Sequence, residues 1–304
     1  MNFTAQDVKS LRERTGCGMM DCKRALADAD GDMDKAIDIL REQGLAKAAK
    51  KTSRIASEGV AYAVTNAEGT LGVDIEVNSE TDFVAKNAEF MEFVSILAQT
   101  VMDTNPVDVD ELLAKTASGT NTKVEDLLRE KIQTIGENIK IRRFARFEGV
   151  VATYIHAAGK IGVMVKFDTT ADTTSTAFKV YAKDIAMQIA AANPLYLDKT
   201  QVTSDVLEHE KKILTEQAIN EGKPQAIAEK IVMGKIGKFY EENCLINQIF
   251  VKDNKITIEQ YTKQTAKKLG ADITIKDFVR FEKGEGLEKR EDNFAAEVAG
   301  MVGQ

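Results

Sequence analysis

The chain has 304 residues, enough for two or three domains with sizeable cores. Hydrophobic residues make up 43% and charged residues 29%, the balance of a globular protein, and only 3 prolines stand among abundant Ala, Lys and Glu, which favours helices. A net charge of −7 argues against a broad nucleic-acid-binding face, and no apolar run approaches the ~20 residues needed to cross a bilayer. The start, MNFTAQDVKSL, shows neither a signal-peptide nor a transit pattern, and Cys17, Cys22 and Cys244 form no disulfide framework. A reducing cytoplasm is the expected home.

Residues 1–54 read as a helical unit. Thr4 and Asp7 have the form of a capping box, and Val8 and Leu11 open an apolar face. Thr15-Gly16-Cys17-Gly18 marks a turn. A second helix over 19–27 turns Cys22, Ala25 and Leu26 inward. Asp30-Gly31-Asp32 is another turn, Asp32 is a good N-cap, and Ala36, Ile37 and Leu40 form a third stripe that Gly44 is placed to end. Three short helices with tight turns resemble a ubiquitin-associated (UBA-like) bundle. Lys47, Lys50, Lys51 and Arg54 follow with no acid among them; a solvated linker is expected there, with RNA contact as the alternative.

The middle of the chain is an internal duplication. Gly59-Val60 aligns with Gly149-Val150, and Gly69, Leu71, Gly72, Val73 and Ile75 align with Gly159, Ile161, Gly162, Val163 and Val165, at an offset of 90. In each copy two alternating runs joined by a Gly-containing turn predict a β-hairpin. A helix follows in each, with Phe90, Val94, Leu97 and Val101 on one face and Phe178, Ala182, Ile185 and Ile189 at the same spacings. Ile139, Ile141, Phe144, Arg146, Phe147 and Glu148 then match Ile273, Ile275, Phe278, Arg280, Phe281 and Glu282 at an offset of 134. The expected fold is α+β, with two subdomains, each a three-stranded antiparallel sheet backed by helices.

The offset grows from 88 at the helix to 134 at the last strand, so the second copy carries 46 extra residues. Two charged helical runs around Gly222-Lys223-Pro224 predict an inserted antiparallel hairpin, mostly solvated, with contact or dimerisation as the alternative. The expected division is a bundle over 1–54, a first core subdomain over 55–148, a second over 149–195 and 244–285, the hairpin over 196–243 and a C-terminal helical module over 286–304.

Nothing in this sequence assembles a catalytic constellation. His156 lies in a hairpin turn and His209 on the charged insert, neither beside a nucleophile motif. Cys17 and Cys22 lack the second ligand pair of a zinc site. Gly234-Lys235-Ile236-Gly237-Lys238 lies in a helical run without phosphate-loop spacing. No cofactor and no metal site is expected.

Thr81-Asp82-Phe83-Val84-Ala85 stands between a strand and a helix, and two readings of it are open. A Phe at a loop end commonly tucks into the core, with the Asp capping the next helix. Alternatively, the ring is offered to a partner. Where the first copy reads Ser79-Glu80-Thr81-Asp82-Phe83-Val84, the second reads Asp168-Thr169-Thr170-Ala171-Asp172-Thr173, without an aromatic. The fold therefore does not need Phe83 in that loop, which favours the second reading. Met19 and Met20 present a similar choice: one buried and one exposed, or a flexible contact surface.

These residues resemble the bacterial elongation factor Ts family. The likeness rests on Arg12-Glu13-Arg14-Thr15-Gly16 with Gly18-Met19-Met20-Asp21-Cys22-Lys23, on Thr81-Asp82-Phe83-Val84-Ala85, on Arg280-Phe281-Glu282 with Gly284-Glu285-Gly286, and on Phe294-Ala295-Ala296-Glu297-Val298. It covers essentially the whole length. The resemblance implies a guanine-nucleotide exchange factor, not an enzyme, that acts on the GTPase elongation factor Tu in protein biosynthesis. It implies that Thr81, Asp82, Phe83 and Val84 enter beside the partner's Mg²⁺ and dislodge it, and that Arg12, Met19 and Met20 dock on the GTPase domain. It also implies that His156 meets another partner domain and that the terminal helix packs on the GTPase domain. A heterodimer or a 2:2 complex is expected, without nucleic acid or membrane. The rival readings are a ubiquitin-like-binding scaffold, a nucleic-acid-binding translation factor and an enzyme.

Overall fold

The computed structural model describes residues 2–289, and for Leu45, Lys47, Ala48, Ala49, Ala226, Ala228 and Glu229 the backbone only. The terminal helix expected at about 290–301 lies outside the described residues. By their contacts the residues form two compact units: Met1–Tyr62 with Ile75–Phe144 and the described part of Glu282–Gln304, and Ala63–Asp74 with Ala145–Phe281. The fold is α+β.

The first unit opens with α1 (Ala5–Thr15), α2 (Met19–Asp28) and α3 (Met33–Lys51). Thr4 and Asp7 form the capping box, Gly16 ends α1 in the left-handed region at φ 66°, and the Asp32 carboxylate accepts from the Asp34 and Lys35 amides. Val8, Leu11, Cys22, Ala25, Leu26, Ala36 and Leu40 make the bundle core. Gly44 does not end α3, which continues for seven more residues. A mid-helix Gly costs about 1 kcal/mol relative to Ala, and here it admits a neighbour: a Cβ at Gly44 would collide with the Gln133 side chain. The expected linker is correspondingly built into the fold. Lys51 Nζ donates to the Ile132 carbonyl at 3.2 Å, and Arg54 pairs with Glu80 at 3.4 Å.

The first copy then runs through β1 (Glu58–Thr65), β2 (Leu71–Ser79), α4 (Asp82–Ala85), α5 (Ala88–Thr104), α6 (Val109–Ala114), α7 (Val124–Ile135) and β3 (Lys140–Glu148), with strand order β1–β2–β3. Phe90, Val94, Leu97 and Val101 of α5 are buried, as the periodicity predicts. Alternation usually leaves one face of a strand in water, but Asp74, Glu76 and Asn78 of β2 are also buried. Glu76 is compensated: its carboxylate accepts from Arg142 Nη1 at 2.8 Å, Arg143 Nε at 2.7 Å, Asn78 Nδ2 at 3.1 Å and the Gly284 amide at 2.7 Å.

The second unit holds β4 (Val150–His156), β5 (Ile161–Thr169), α8 (Thr176–Ala192), α9 (Ser204–Asn220), α10 (Gln225–Asn243), β6 (Ile249–Phe250), β7 (Asp253–Thr257), α11 (Ile258–Leu269) and β8 (Ile273–Glu282). Its main sheet has the order β4–β5–β8, with β4 antiparallel to β5 from Val150 opposite Phe167 to His156 opposite Ile161. Phe167, Phe178, Tyr181, Ile185 and Ile189 lie in its core. The inserted helices α9 and α10 pack on each other, and the Leu195 and Tyr196 amides both reach the Asn243 carbonyl at the base of the hairpin. The small β6–β7 ribbon is a feature the periodicity did not reveal: β6 has only two residues, and β7 opens on the polar run Asp253-Asn254-Lys255.

The duplication extends to the caps. The helices α5 and α8 have 17 residues each and end at Asn105 and Asn193, both at φ 44°. The helices α7 and α11 have 12 each and end at the left-handed Gly136 and Gly270. Gly72 and Gly162, equivalent in the two copies, mark close approaches. A Cβ on Gly72 would sit 2.6 Å from Val151 Cγ1, and one on Gly162 would collide with the Asp74 carboxylate.

Candidate functional site

The strand β2 delivers the chain to a single helical turn, α4, before α5 begins. Thr81 holds the N-cap position in extended conformation, yet its side chain makes no cap bond. Its hydroxyl donates instead to Glu137 Oε1 at 2.6 Å, while Glu137 Oε2 accepts from the Glu80 and Thr81 amides at 3.1 and 3.0 Å. The Glu80 carboxylate returns the bond by accepting from the Asn138 amide at 2.6 Å. The turn is thus oriented by residues 56–58 positions away.

Phe83 leaves 79% of its surface in water, so the core-Phe reading fails here. Val84, which the resemblance grouped with the partner-facing residues, turns inward at 8% exposure. In a one-turn helix one side chain must anchor the turn, and Val84 takes that place; Asp82 and Phe83 form the outer face. Lys86, which the motif did not single out, completes it. Its Nζ donates to Asp82 Oδ2 at 2.7 Å and stands 5.9 Å over the Phe83 ring. That hydrogen bond, with the charges of Lys86 and Lys283, holds the Asp82 carboxyl below the ordinary carboxylate range against the opposing desolvation.

Met19 and Met20 are both exposed, at 54% and 64%, at the start of α2, and Arg12 is exposed on α1. The turn before them rests on the end of α7. Gln133 Nε2 donates to Cys17 Sγ at 3.2 Å and to the Leu40 carbonyl at 3.1 Å, and a Cβ on Gly16 would lie 3.1 Å from Thr134 Cγ2. The residues from Gln133 to Asn138 therefore touch both the bundle and, at Glu80 and Thr81, the entrance to the Asp82–Phe83 turn. His156 belongs to the other unit, exposed at the end of β4, with Tyr154 Oη 3.1 Å from its Nδ1. Cys17, Cys22 and Cys244 are buried, and desolvation pushes the Cys22 and Cys244 thiols up. Among the described residues no His, Cys, Asp and Glu cluster could hold a metal, and no helix is long and apolar enough to cross a membrane.

A family model described as Elongation factor TS matches residues 80–285, which spans the Asp82–Phe83 turn, β3 of the first sheet, the whole second sheet and the Gly284-Glu285 turn. The chain belongs to the elongation factor Ts family. An elongation factor Ts from Clostridium kluyveri is 52% identical over 304 residues, covering 99% of each chain. One from Trichlorobacter lovleyi is 49% identical over 309 residues, covering 100% of this chain and 99% of that one. Another from Clostridium perfringens is 49% identical over 305 residues, covering 99% of this chain and 100% of that one. These matches also extend over the residues before 80 that the family model leaves out. Elongation factor Ts is a translation elongation factor, and this chain is one by membership.

Sequence reasoning missed Glu137 and Lys86. Lys86 is signalled by its i, i+4 spacing from Asp82. Glu137 stands directly after a C-capping Gly, where the second copy has Ala271.

Proposed function

We propose that this elongation factor Ts binds elongation factor Tu loaded with GDP and accelerates GDP release by setting Phe83 and Asp82 beside the partner's magnesium site. The observation that carries the reading is an aromatic ring held out in water by a turn fastened on both sides. Magnesium neutralises phosphate charge, so its displacement weakens nucleotide binding. Phe83 acts as the wedge and Asp82 as the charge that disturbs the groups around the metal. The factor does no covalent chemistry: it prefers the nucleotide-free partner, and by linkage GDP or GTP in turn weakens its own binding. Exposed Arg12, Met19 and Met20 suit docking on the GTPase domain, and His156 is offered as a second contact. The partners are the GTPase alone, in a heterodimer or a 2:2 complex.

The test is release of fluorescent GDP from elongation factor Tu. Phe83→Ala is expected to slow release at least tenfold, which corresponds to ~1.4 kcal/mol of lost differential binding, with an unchanged melting temperature. Wild-type release by the folded variant would sink the reading.

A further inference from the structure

The carboxylate of Glu137 takes up three donors at the entrance to the wedge turn: the Glu80 amide, the Thr81 amide and the Thr81 hydroxyl. A four-residue helix has no stability of its own, since one turn fixes several dihedrals for one hydrogen bond. The usual local remedy is a capping side chain, and Thr81 has given its hydroxyl to Glu137 instead. The direction of the turn is consequently set from the end of α7.

The second copy shows how the same junction closes without such a carboxylate. At the offset of 134 that aligns α7 with α11, Glu137 corresponds to Ala271 and Asn138 to Asp272. There the main chain does the work. The Asp272 carbonyl accepts from Thr169 Oγ1 at 2.6 Å and from the Thr170 amide at 3.1 Å, and Thr170 Oγ1 accepts from the Asp272 amide at 3.0 Å. That copy also lacks the aromatic, having none in Asp168-Thr169-Thr170-Ala171-Asp172-Thr173. The fold closes this junction with Ala, so the carboxylate accompanies the wedge and not the sheet.

We infer that Glu137 is a positioning residue for nucleotide exchange: it holds the Thr81 end of the turn so that Phe83 and Asp82 meet the partner already ordered. This rests on the function proposed above. An ordered turn spares the partner the entropy of ordering it, and a displacement of about 1 Å at a reacting geometry can cost ~100-fold in rate.

The experiment is GDP release from elongation factor Tu over a range of factor concentrations, with Phe83→Ala, Glu137→Ala, Glu137→Gln and the Phe83→Ala/Glu137→Ala double variant. Glu137→Ala is expected to lower the maximal rate roughly ten- to a hundredfold, with a smaller change in the half-saturating concentration, because the bundle still docks. Glu137→Gln keeps one acceptor oxygen and recovers part of the rate. In the double variant the second substitution adds nothing, since Glu137 acts through the ring. Two results overturn the inference: slow release by Phe83→Ala beside wild-type release by folded Glu137→Ala, or an equal further slowing by Glu137→Ala in the Phe83→Ala background. Wild-type release by Phe83→Ala removes the functional reading and the inference with it. Should Glu137→Ala fail to fold, hydrogen exchange at the Thr81 amide of Glu137→Gln decides. Faster exchange than in wild type supports the clamp, and an unchanged rate overturns it.

Discussion

Phe83 forgoes the roughly 1.5–3 kcal/mol that burying such a side chain contributes, while Val84 beside it is buried. The two residues divide the labour of a one-turn helix between anchor and exposed tip. Asp82 is the titratable member of the pair. Its carboxyl is held down by Lys86, so the charged form is favoured in the fold. The linkage has the sign of a depressed acid: the contribution is present above the unfolded value and is lost only as pH falls through the lower folded value. Between about pH 6 and 8, well above the usual carboxylate range, the Asp82 charge therefore stays constant. The ratio of GDP-release rates for wild type and Asp82→Asn should be flat across that window. A ratio that changes tenfold within it would mean that another group titrates at the wedge.

At the scale of elements, packing decides what each glycine is for. Gly234 and Gly237 sit in α10 with open space around an added Cβ, whereas Gly162 in β5 lies against the buried Asp74 carboxylate. The expected signs are opposite. Gly234→Ala should raise stability by about 0.5–1 kcal/mol through helix propensity. Gly162→Ala should lower it by about 1–3 kcal/mol through overpacking. Urea denaturation of the two variants checks the pair, and a stabilised Gly162→Ala would show that β2 and β5 can part at no penalty. The same comparison explains Gly44. On pattern it reads as a stop, but the approach of Gln133 makes it a contact position inside a continuing helix.

For the whole molecule, the two ways of dividing the chain answer different questions. The duplication separates the copies at 148–149, while the contacts divide the residues across the first hairpin, at Tyr62–Ala63 and Asp74–Ile75. The first describes repeats and the second what touches what. The proposed mechanism also has a consequence for the assembled pair. If the factor works partly by displacing magnesium, its acceleration of GDP release should be larger in millimolar Mg²⁺ than in EDTA, where that part is already done. Phe83→Ala should narrow the difference. Equal acceleration in both media, for wild type and variant alike, would remove metal displacement from the mechanism.

Local chemistry alone settled the features that depend on near neighbours in the chain. The Thr4–Asp7 box, the inward faces of α1, α2, α5 and α8 and the repeat of strand and helix patterns all follow from spacing and capping. The aromatic of Phe83 was legible as an outlier because the second copy closes the same junction without one. The tertiary structure decided whatever depends on residues distant in sequence. Glu76 could be known as a buried, fully compensated carboxylate only once Arg142, Arg143 and Gly284 were brought to it. Glu137 became visible only when its oxygens met the Glu80 and Thr81 amides. A periodicity reports which side of an element is apolar; it carries no term for a buried charge whose partners lie tens of residues away, and those partners set both the strand β2 and the turn that carries the wedge.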